Sequence, residues 1–164
     1  MEIPRELSSC MKKALFRLSM GDMTAGEMLE YLSDQHRKNT AFPTEIAERT
    51  VALLEQEGFL DDKRYLKLFV KRLDDRLLGP RKMKEELTRH RFPPHYVEAV
   101  LNRSVNFHRR AKKLLLQRRD LSALVSTPAG KKKLNDYLVR QGYDFSTARC
   151  AVDQISQSET DVSK

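Results

Sequence analysis

The sequence predicts an all-α protein in which three tandem three-helix repeats form an elongated, curved array. Apolar residues recur at intervals of three and four through most of the 164 residues, which is the spacing of one buried helix face. Helix-start and helix-end signals recur with a period of about 50 residues, near that of helical repeat proteins. No useful length of sequence alternates between polar and apolar residues as a strand does. We therefore expect repeats at 1–60, 61–105 and 106–157, followed by a flexible tail at 158–164.

The first repeat begins with a helix whose apolar residues form one stripe: Leu7, Met11, Ala14, Leu15 and Leu18. Thr24 and Glu27 then have the spacing of a capping box, in which a hydroxyl and a carboxylate satisfy free N–H groups at a helix start. A polar loop at 34–44 separates this second helix from a third. Gly58 is predicted to end the third helix, because glycine readily adopts the left-handed conformation found after a helix terminus.

The second repeat is recognised by its turns. Gly79 and Pro80 end one helix and start the next, because proline is tolerated at the first helical position. Phe92, followed by two prolines, interrupts the chain again. Around these turns, several residues suit caps, turns or core positions better than contacts with a partner: Gly58, Asp61, Asp62, Arg64, Tyr65, Phe69, Gly79 and Pro80.

The third repeat follows the same order with weaker signals. Thr127 and Pro128 are predicted to open its second helix, and Gly142 begins the turn that follows. Ser146 can cap the third helix. The segment 121–130 is irregular.

The net charge of +8 is unevenly distributed along the chain. Residues 1–60 contain 7 Lys/Arg and 10 Asp/Glu, whereas residues 61–164 contain 24 and 13. A basic segment joined to a mildly acidic one indicates two kinds of surface, one of which attracts a polyanion. Nucleic acid is the simplest such partner, because each Lys or Arg that meets a phosphate releases condensed counterions. The alternative is a basic surface that is only solvated.

Basic residues away from the apolar stripes are the candidate contacts with this polyanion. One row occupies a single helix face, where an anionic partner would relieve the repulsion between its members. A second group crowds a helix start, whose free N–H groups favour phosphate. The remaining candidates surround two helices of the third repeat. In chain order, the candidates are Lys63, Lys67, Lys71, Arg81, Lys82, Lys84, Arg109, Arg110, Lys112, Lys113, Arg118, Arg119, Lys131, Lys132 and Lys133.

Two runs in the middle of the chain resemble a known family. Residues 58–65, Gly-Phe-Leu-Asp-Asp-Lys-Arg-Tyr, followed by Phe69 and Val70, resemble the hallmark segment of the RecX family, the regulators of the RecA recombinase. Residues 79–87, Gly-Pro-Arg-Lys-Met-Lys-Glu-Glu-Leu, resemble the next block of that family. The resemblance implies tandem three-helix repeats and no catalysis. It also implies binding in the groove of the recombinase filament on single-stranded DNA, which restrains filament growth, strand exchange and co-protease activity in DNA repair and the SOS response.

The first repeat departs from this family pattern. Glu30 and Tyr31 stand where basic residues are common, and the loop at 34–44 is unusually long. We therefore expect the first repeat to face protein and the two basic repeats to attract DNA. The expected partners are the recombinase filament and single-stranded DNA, or duplex DNA without sequence specificity, and the protein itself is expected to be a monomer.

Enzymatic classes fit the sequence poorly. The four histidines lack metal-ligand spacing with cysteine or carboxylates, and no glycine-rich phosphate loop or activated nucleophile is recognisable. We therefore expect no catalytic residues, no metal and no cofactor. Cys10 and Cys150 form neither a disulfide framework nor a metal motif, which favours a reducing, cytoplasmic setting. No apolar run reaches the length of a membrane span.

Two other functions remain open. A helix-turn-helix regulator of duplex DNA would need a recognition helix with side chains that read base edges, and residues 94–101 offer few. A general protein–protein adaptor is the weaker alternative, because the strongly basic segment 61–164 argues against it.

Overall fold

The computed structural model of the chain describes residues 5–34, 42–103, 105–118 and 123–162. Within these ranges all regular structure is helical, with nine α-helices, one 3-10 turn and no strand, so the predicted all-α class is confirmed. The helices are α1 (Arg5–Ser19), α2 (Ala25–Ser33), α3 (Thr44–Gln56), α4 (Asp62–Asp75), α5 (Pro80–Arg89), α6 (Pro94–Leu101), α7 (Phe107–Gln117), α8 (Pro128–Arg140) and α9 (Phe145–Val162), and the 3-10 turn is Ala123–Ser126.

The chain divides into two units. The first unit contains residues 1–69 and 87–97, and the second contains residues 70–86 and 98–164. Each has its own set of buried apolar residues. This division differs from the three predicted modules, whose boundaries stay a prediction.

The core of the first unit forms where α1, α2 and α3 pack against one another. Leu15 does not lie in this core as predicted: 37% of its surface is exposed. Cys10, which was not in the predicted stripe, is fully buried together with the predicted Ala14, because the inward face of α1 is rotated toward Cys10. The buried residues of this core are Cys10, Ala14, Met23, Met28, Leu32, Ala47, Val51, Leu54 and Leu60.

Three aromatic rings pack together in the first unit. Tyr65 lies 5.8 Å from Phe69 and 5.5 Å from Phe92 between ring centroids. The His90 ring lies 4.5 Å from Phe69. Aromatic pairs at such separations stabilise a core beyond the area that they bury. The predicted core roles of Tyr65 and Phe69 are therefore confirmed.

The core of the second unit lies among α7, α8, α9 and the 3-10 turn. Tyr143 is buried there, and its hydroxyl donates to the Leu77 carbonyl at 2.7 Å. Burial raises the pKa of Tyr143 to about 12, so the donor proton is retained at neutral pH. The other buried residues are Leu77, Ala111, Leu114, Leu115, Val125, Leu134, Leu138, Ala148, Ala151, Val152 and Ile155.

The predicted helix caps of the first unit are present. Thr24 and Glu27 form both hydrogen bonds of the capping box at the start of α2. Asp61 caps α4 by accepting the Arg64 N–H at 2.8 Å. Asp62 instead accepts the Ala25 N–H of α2 at 2.8 Å, and burial raises the pKa of this carboxyl.

Glycine and aspartate mark other helix ends. Gly58 follows α3 with φ of +73°, the left-handed conformation expected there. At the start of α9 the prediction of Ser146 as the cap is wrong. Asp144 caps this helix, because its carboxylate accepts the Thr147 N–H at 2.8 Å, and the Ser146 hydroxyl donates to the same carboxylate.

Three sequence predictions concern regions that border or overlap the residues outside the description. Most of the predicted loop at 34–44 lies outside the described residues, as does part of the irregular segment 121–130. Helix α9 continues to Val162, into the predicted tail at 158–164. Neither glycine nor proline occurs in the second half of α9, so nothing in the sequence stops that helix earlier.

One kind of helix junction occurs in both units. In the second unit, the Gly79 N–H donates to the Gln141 carbonyl at 2.8 Å, and the Arg81 N–H donates to the Gly142 carbonyl at 3.1 Å. The carbonyl end of α8 thus satisfies N–H groups at the start of α5. A Cβ at Gly79 would lie 2.3 Å from the Gly142 carbonyl carbon, so the backbones meet without room for a side chain.

The first unit contains the equivalent junction between the end of α5 and the start of α2. The Thr24 hydroxyl donates to the His90 carbonyl at 2.7 Å. A Cβ at Gly26 would lie 2.8 Å from the Arg91 Cβ. Arg91 has φ of +53° and its counterpart Gly142 has φ of +92°. The segment that follows α5 and the segment that follows α8 therefore both contain a residue in the left-handed conformation.

Candidate nucleic-acid interface

The net positive charge of the chain lies entirely in the second unit. By sequence, that unit has 19 Lys/Arg and 11 Asp/Glu, whereas the first unit has 12 of each. Only the second unit therefore carries the net positive charge that long-range attraction to a polyanion would require, while the first has no net charge. Among the described residues, large exposed apolar side chains are more numerous in the first unit: they are Leu15, Phe16, Met20, Phe59 and Leu68 there, against Leu116 and Phe145 in the second.

The predicted row of lysines on α4 is exposed. Lys63, Lys67 and Lys71 are spaced by four residues along this helix, and all three are open to solvent. Lys63 and Lys67 belong to the first unit and Lys71 to the second. The opposite face of α4 carries the buried residues Tyr65 and Phe69, so the row is held away from the core.

The backbone N–H groups predicted as a phosphate site at the start of α5 are already occupied, because they donate to carbonyls at the end of α8 in the junction described above. The Arg81 guanidinium reaches the Val139 carbonyl at 3.4 Å, and the Lys82 ammonium reaches the Arg140 carbonyl at 3.3 Å. These two cations lie at the negative end of the α8 dipole, which stabilises them there. Lys84 is exposed.

Arg110 does not fit the predicted role of a surface contact. Only 8% of its surface is exposed, and its guanidinium lies 2.8 Å from the Asp74 carboxylate. It also donates to the Leu73 carbonyl at 3.0 Å. The residue pattern of α7 cannot show this, because the partner Asp74 is 36 residues earlier in the sequence.

Asp74 is held by two arginines. Arg103 makes two hydrogen bonds to the Asp74 carboxylate, one of them at 2.9 Å, and Arg110 makes the ion pair described above. Burial opposes the ionisation of Asp74, but the hydrogen bonds and charges of the two arginines outweigh it and hold the pKa of this carboxyl below its usual range. This cluster is internal structure of the second unit rather than a free cationic surface.

The other candidates on α7 lie at its surface. Arg109 and Lys113 are exposed, and Lys112 is half-buried. Arg118 is exposed and lies 5.7 Å from the centroid of the Tyr137 ring, a cation–π contact. Arg119 lies outside the described residues.

Helix α8 presents lysines in its first turns. Lys132 and Lys133 are exposed and Lys131 is half-buried. The predicted cap is present, because Thr127 accepts the Gly130 N–H at 3.0 Å. This cap fixes the start of the helix, and the three lysines are therefore presented from rigid backbone.

The sequence patterns did not single out an exposed aromatic residue at the start of α9. Phe145 is 63% exposed, and the Arg149 side chain, one helical turn later, is 70% exposed. The inward face of α9 includes Ala148, Ala151, Val152 and Ile155. The sequence does contain a signal for Phe145, because an aromatic residue stands there outside the spacing of the inward face.

Among the side chains that the structure describes, none form a group of three or more His, Cys, Asp or Glu able to hold a metal ion. Over the same residues, no helix has the length and apolar character needed to cross a bilayer. No protein-family model matches the chain, and no match is found among curated proteins.

Proposed function

We propose that this protein is a non-enzymatic modulator of a RecA-type recombinase, and most simply an inhibitor. It would bind in the groove of the recombinase filament on single-stranded DNA and restrain filament growth, strand exchange and co-protease activity. The observation that carries this proposal is the separation of charge, because the second unit holds the whole net charge of +8 while the first is neutral. The RecX-like runs at 58–70 and 79–87 indicate which polyanion and which protein to test.

The two units are proposed to bind different partners, because their surfaces differ in charge. Exposed cations on α7 and α8 supply long-range attraction to phosphates. The first unit, with exposed Phe59 and Leu68 and no net charge, supplies contacts with the recombinase. A molecule that holds DNA and protein together opposes the relative motion that growth and strand exchange require.

We further propose that the chain consists of three tandem three-helix repeats. Supporting this proposal, the same junction between a helix end and a helix start is found once in each unit. Gly79 and Gly142 form it in the second unit, and Gly26 and Arg91 form it in the first. Repeat proteins characteristically reuse one interface between successive neighbours.

The test is an assay of a cognate recombinase with and without this protein. We expect DNA-stimulated ATP hydrolysis and strand exchange to fall as the protein is added at moderate salt. Unchanged rates at saturating protein contradict the proposal. A heat-unfolded sample of the same protein is the control for nonspecific charge.

A pull-down separates this proposal from the alternative of a duplex-DNA regulator. The protein is presented with recombinase, single-stranded DNA and nucleotide together, and with each component alone. Retention by the assembled filament alone, or much more strongly by it, supports the proposal. Sequence-specific retention of duplex DNA without recombinase supports the regulator instead.

A further inference from the structure

Phe145 is an exposed aromatic residue on a rigid part of the second unit. The residue is 63% exposed, although it begins a helix whose inward face packs against the core. The backbone around it is held on both sides. Tyr143 is anchored through its hydroxyl to the Leu77 carbonyl, and Asp144 caps the first turn of α9 through Thr147. The backbone that carries the ring is therefore held in place.

Cations gather at the turn that carries this ring. Backbone hydrogen bonds join residues 141 and 142 of this turn to the start of α5, where the Arg81 and Lys82 side chains donate to the carbonyls of residues 139 and 140. Arg149 follows Phe145 by one helical turn on α9. The Asp144 carboxylate is engaged with Ser146 and Thr147, whose hydrogen bonds hold its pKa well below the usual range.

The carboxylates that pair with Arg81 and Arg149 are easily displaced. Arg81 lies 3.9 Å from Glu85, and both side chains are more than half exposed. Arg149 lies 3.9 Å from Asp153 in an equally exposed pair. Exposed ion pairs at this distance contribute little to stability, so a phosphate can replace either carboxylate at small cost.

We propose that Phe145 is a stacking platform for an unpaired base, and that Arg81 and Arg149 hold the phosphates beside that base. Proteins that bind single-stranded nucleic acid combine cations along the backbone with aromatic rings on which bases stack. A duplex does not offer such a base, because its bases are already stacked. The site therefore selects single strands. It rests on the proposed function, since it specifies how the second unit binds the DNA of the filament.

The test compares Phe145→Ala with Phe16→Ala. Phe16 is 62% exposed and lies in the neutral first unit, so it is matched in residue type and exposure. The probes are a labelled oligothymidine of about 15 nucleotides, near the upper end of the site sizes of single-strand-binding domains, and an abasic strand of equal length. Stacking of one base predicts about a tenfold loss of affinity for oligothymidine in Phe145→Ala. Affinity for the abasic strand is expected to stay unchanged, and Phe145→Trp should bind oligothymidine as the parent does.

Several outcomes overturn the inference. Equal affinity of Phe145→Ala and Phe16→Ala for oligothymidine excludes stacking, as does an equal loss on both strands. If Phe145→Ala loses recombinase binding while DNA binding is intact, the ring contacts protein. If the parent inhibits the recombinase and only the stacking result fails, the proposed function stands. If the parent binds neither strand nor filament, both proposals fail. Circular dichroism of each variant checks that the helical content of the protein is unchanged.

Discussion

At the residue scale, two neighbouring arginines on α7 show how position decides the role of a charge. Arg109 is exposed and free to meet a phosphate, whereas Arg110 is buried against Asp74 and the Leu73 carbonyl. Their side chains have the same chemistry and carry the same charge. Adjacent residues on a helix point about 100° apart, so one reaches the core while the other reaches solvent.

Replacing Arg110 is expected to destabilise the protein. Arg110→Met removes a buried partner of Asp74 and should lower the free energy of unfolding by about 2 kcal/mol, with Arg103 left to compensate in part. Arg109→Met is the matched control and should change it by less than about 0.5 kcal/mol. Urea denaturation measures both. Equal stability of the two variants contradicts the buried role.

The lowered pKa of Asp74 predicts a dependence of stability on acid. A carboxyl whose folded-state pKa lies below its unfolded value contributes stability above the unfolded pKa, near 4. That contribution is lost as the pH falls from about 5 through the folded-state pKa. We therefore expect Asp74→Asn to be less stable than the parent at pH 7 and closer to it at pH 3.

Urea unfolding at the two pH values measures this difference. The matched control is Asp75→Asn, because Asp75 is the exposed neighbour of Asp74 on the same helix. If the free energies of unfolding of the parent and Asp74→Asn differ as much at pH 3 as at pH 7, the ion pairs are not the source of the difference.

At the element scale, the junction between α8 and α5 brings two backbones closer than side chains allow. Hydrogen bonds from Gly79 and Arg81 to residues 141 and 142 replace the water that would otherwise solvate a helix start. The carbonyl end of one helix dipole meets the N–H end of another, which is the favourable orientation. Glycine is required at 79 because a side chain would not fit there. Its backbone conformation is not the reason, since its φ lies outside the left-handed region.

Gly79→Ala is expected to weaken this junction. The added Cβ lies 2.3 Å from the Gly142 carbonyl carbon, so backbone must move, at a cost of about 1–3 kcal/mol. Gly58→Ala is the comparison, since nothing lies within 4 Å of a Cβ there and only the φ of +73° is unfavourable. That backbone strain should cost about 1 kcal/mol. Thermal unfolding ranks the two, and a smaller effect at Gly79 contradicts the close approach.

At the scale of the whole molecule, the separation of charge predicts how salt acts on DNA binding. Reversing Lys131, Lys132 and Lys133 to glutamate should weaken binding to single-stranded DNA. Each phosphate contact contributes about 0.7 to the slope of log affinity against log salt. Loss of three contacts should lower that slope by about 2.

The control for this prediction reverses three exposed cations of the neutral unit: Arg5, Lys12 and Arg49. That variant has the same net charge as the lysine variant. Fluorescence anisotropy over a salt series measures both slopes. If the two variants shift the slope equally, total charge rather than the surface of α8 governs binding.

Much of the fold was predictable because its signals are local. The capping box at Thr24 and Glu27, the glycine after α3 and the proline that starts α5 each act within one helical turn. The candidate site was less predictable. Arg110 and Lys82 looked like free cations, but their partners lie far away in sequence.

The sequence by itself determined the helical class, most helix ends and the excess of positive charge in the later part of the chain, since periodicity, caps and composition need no distant partner. Only the tertiary structure decided which cations face solvent. The pairing of Asp74 with Arg103 and Arg110 withdraws one predicted contact, and the close approach of Gly79 to Gly142 fills a predicted phosphate site. Burial and hydrogen bonding depend on segments that meet only after folding, so charge alone does not identify a surface that binds.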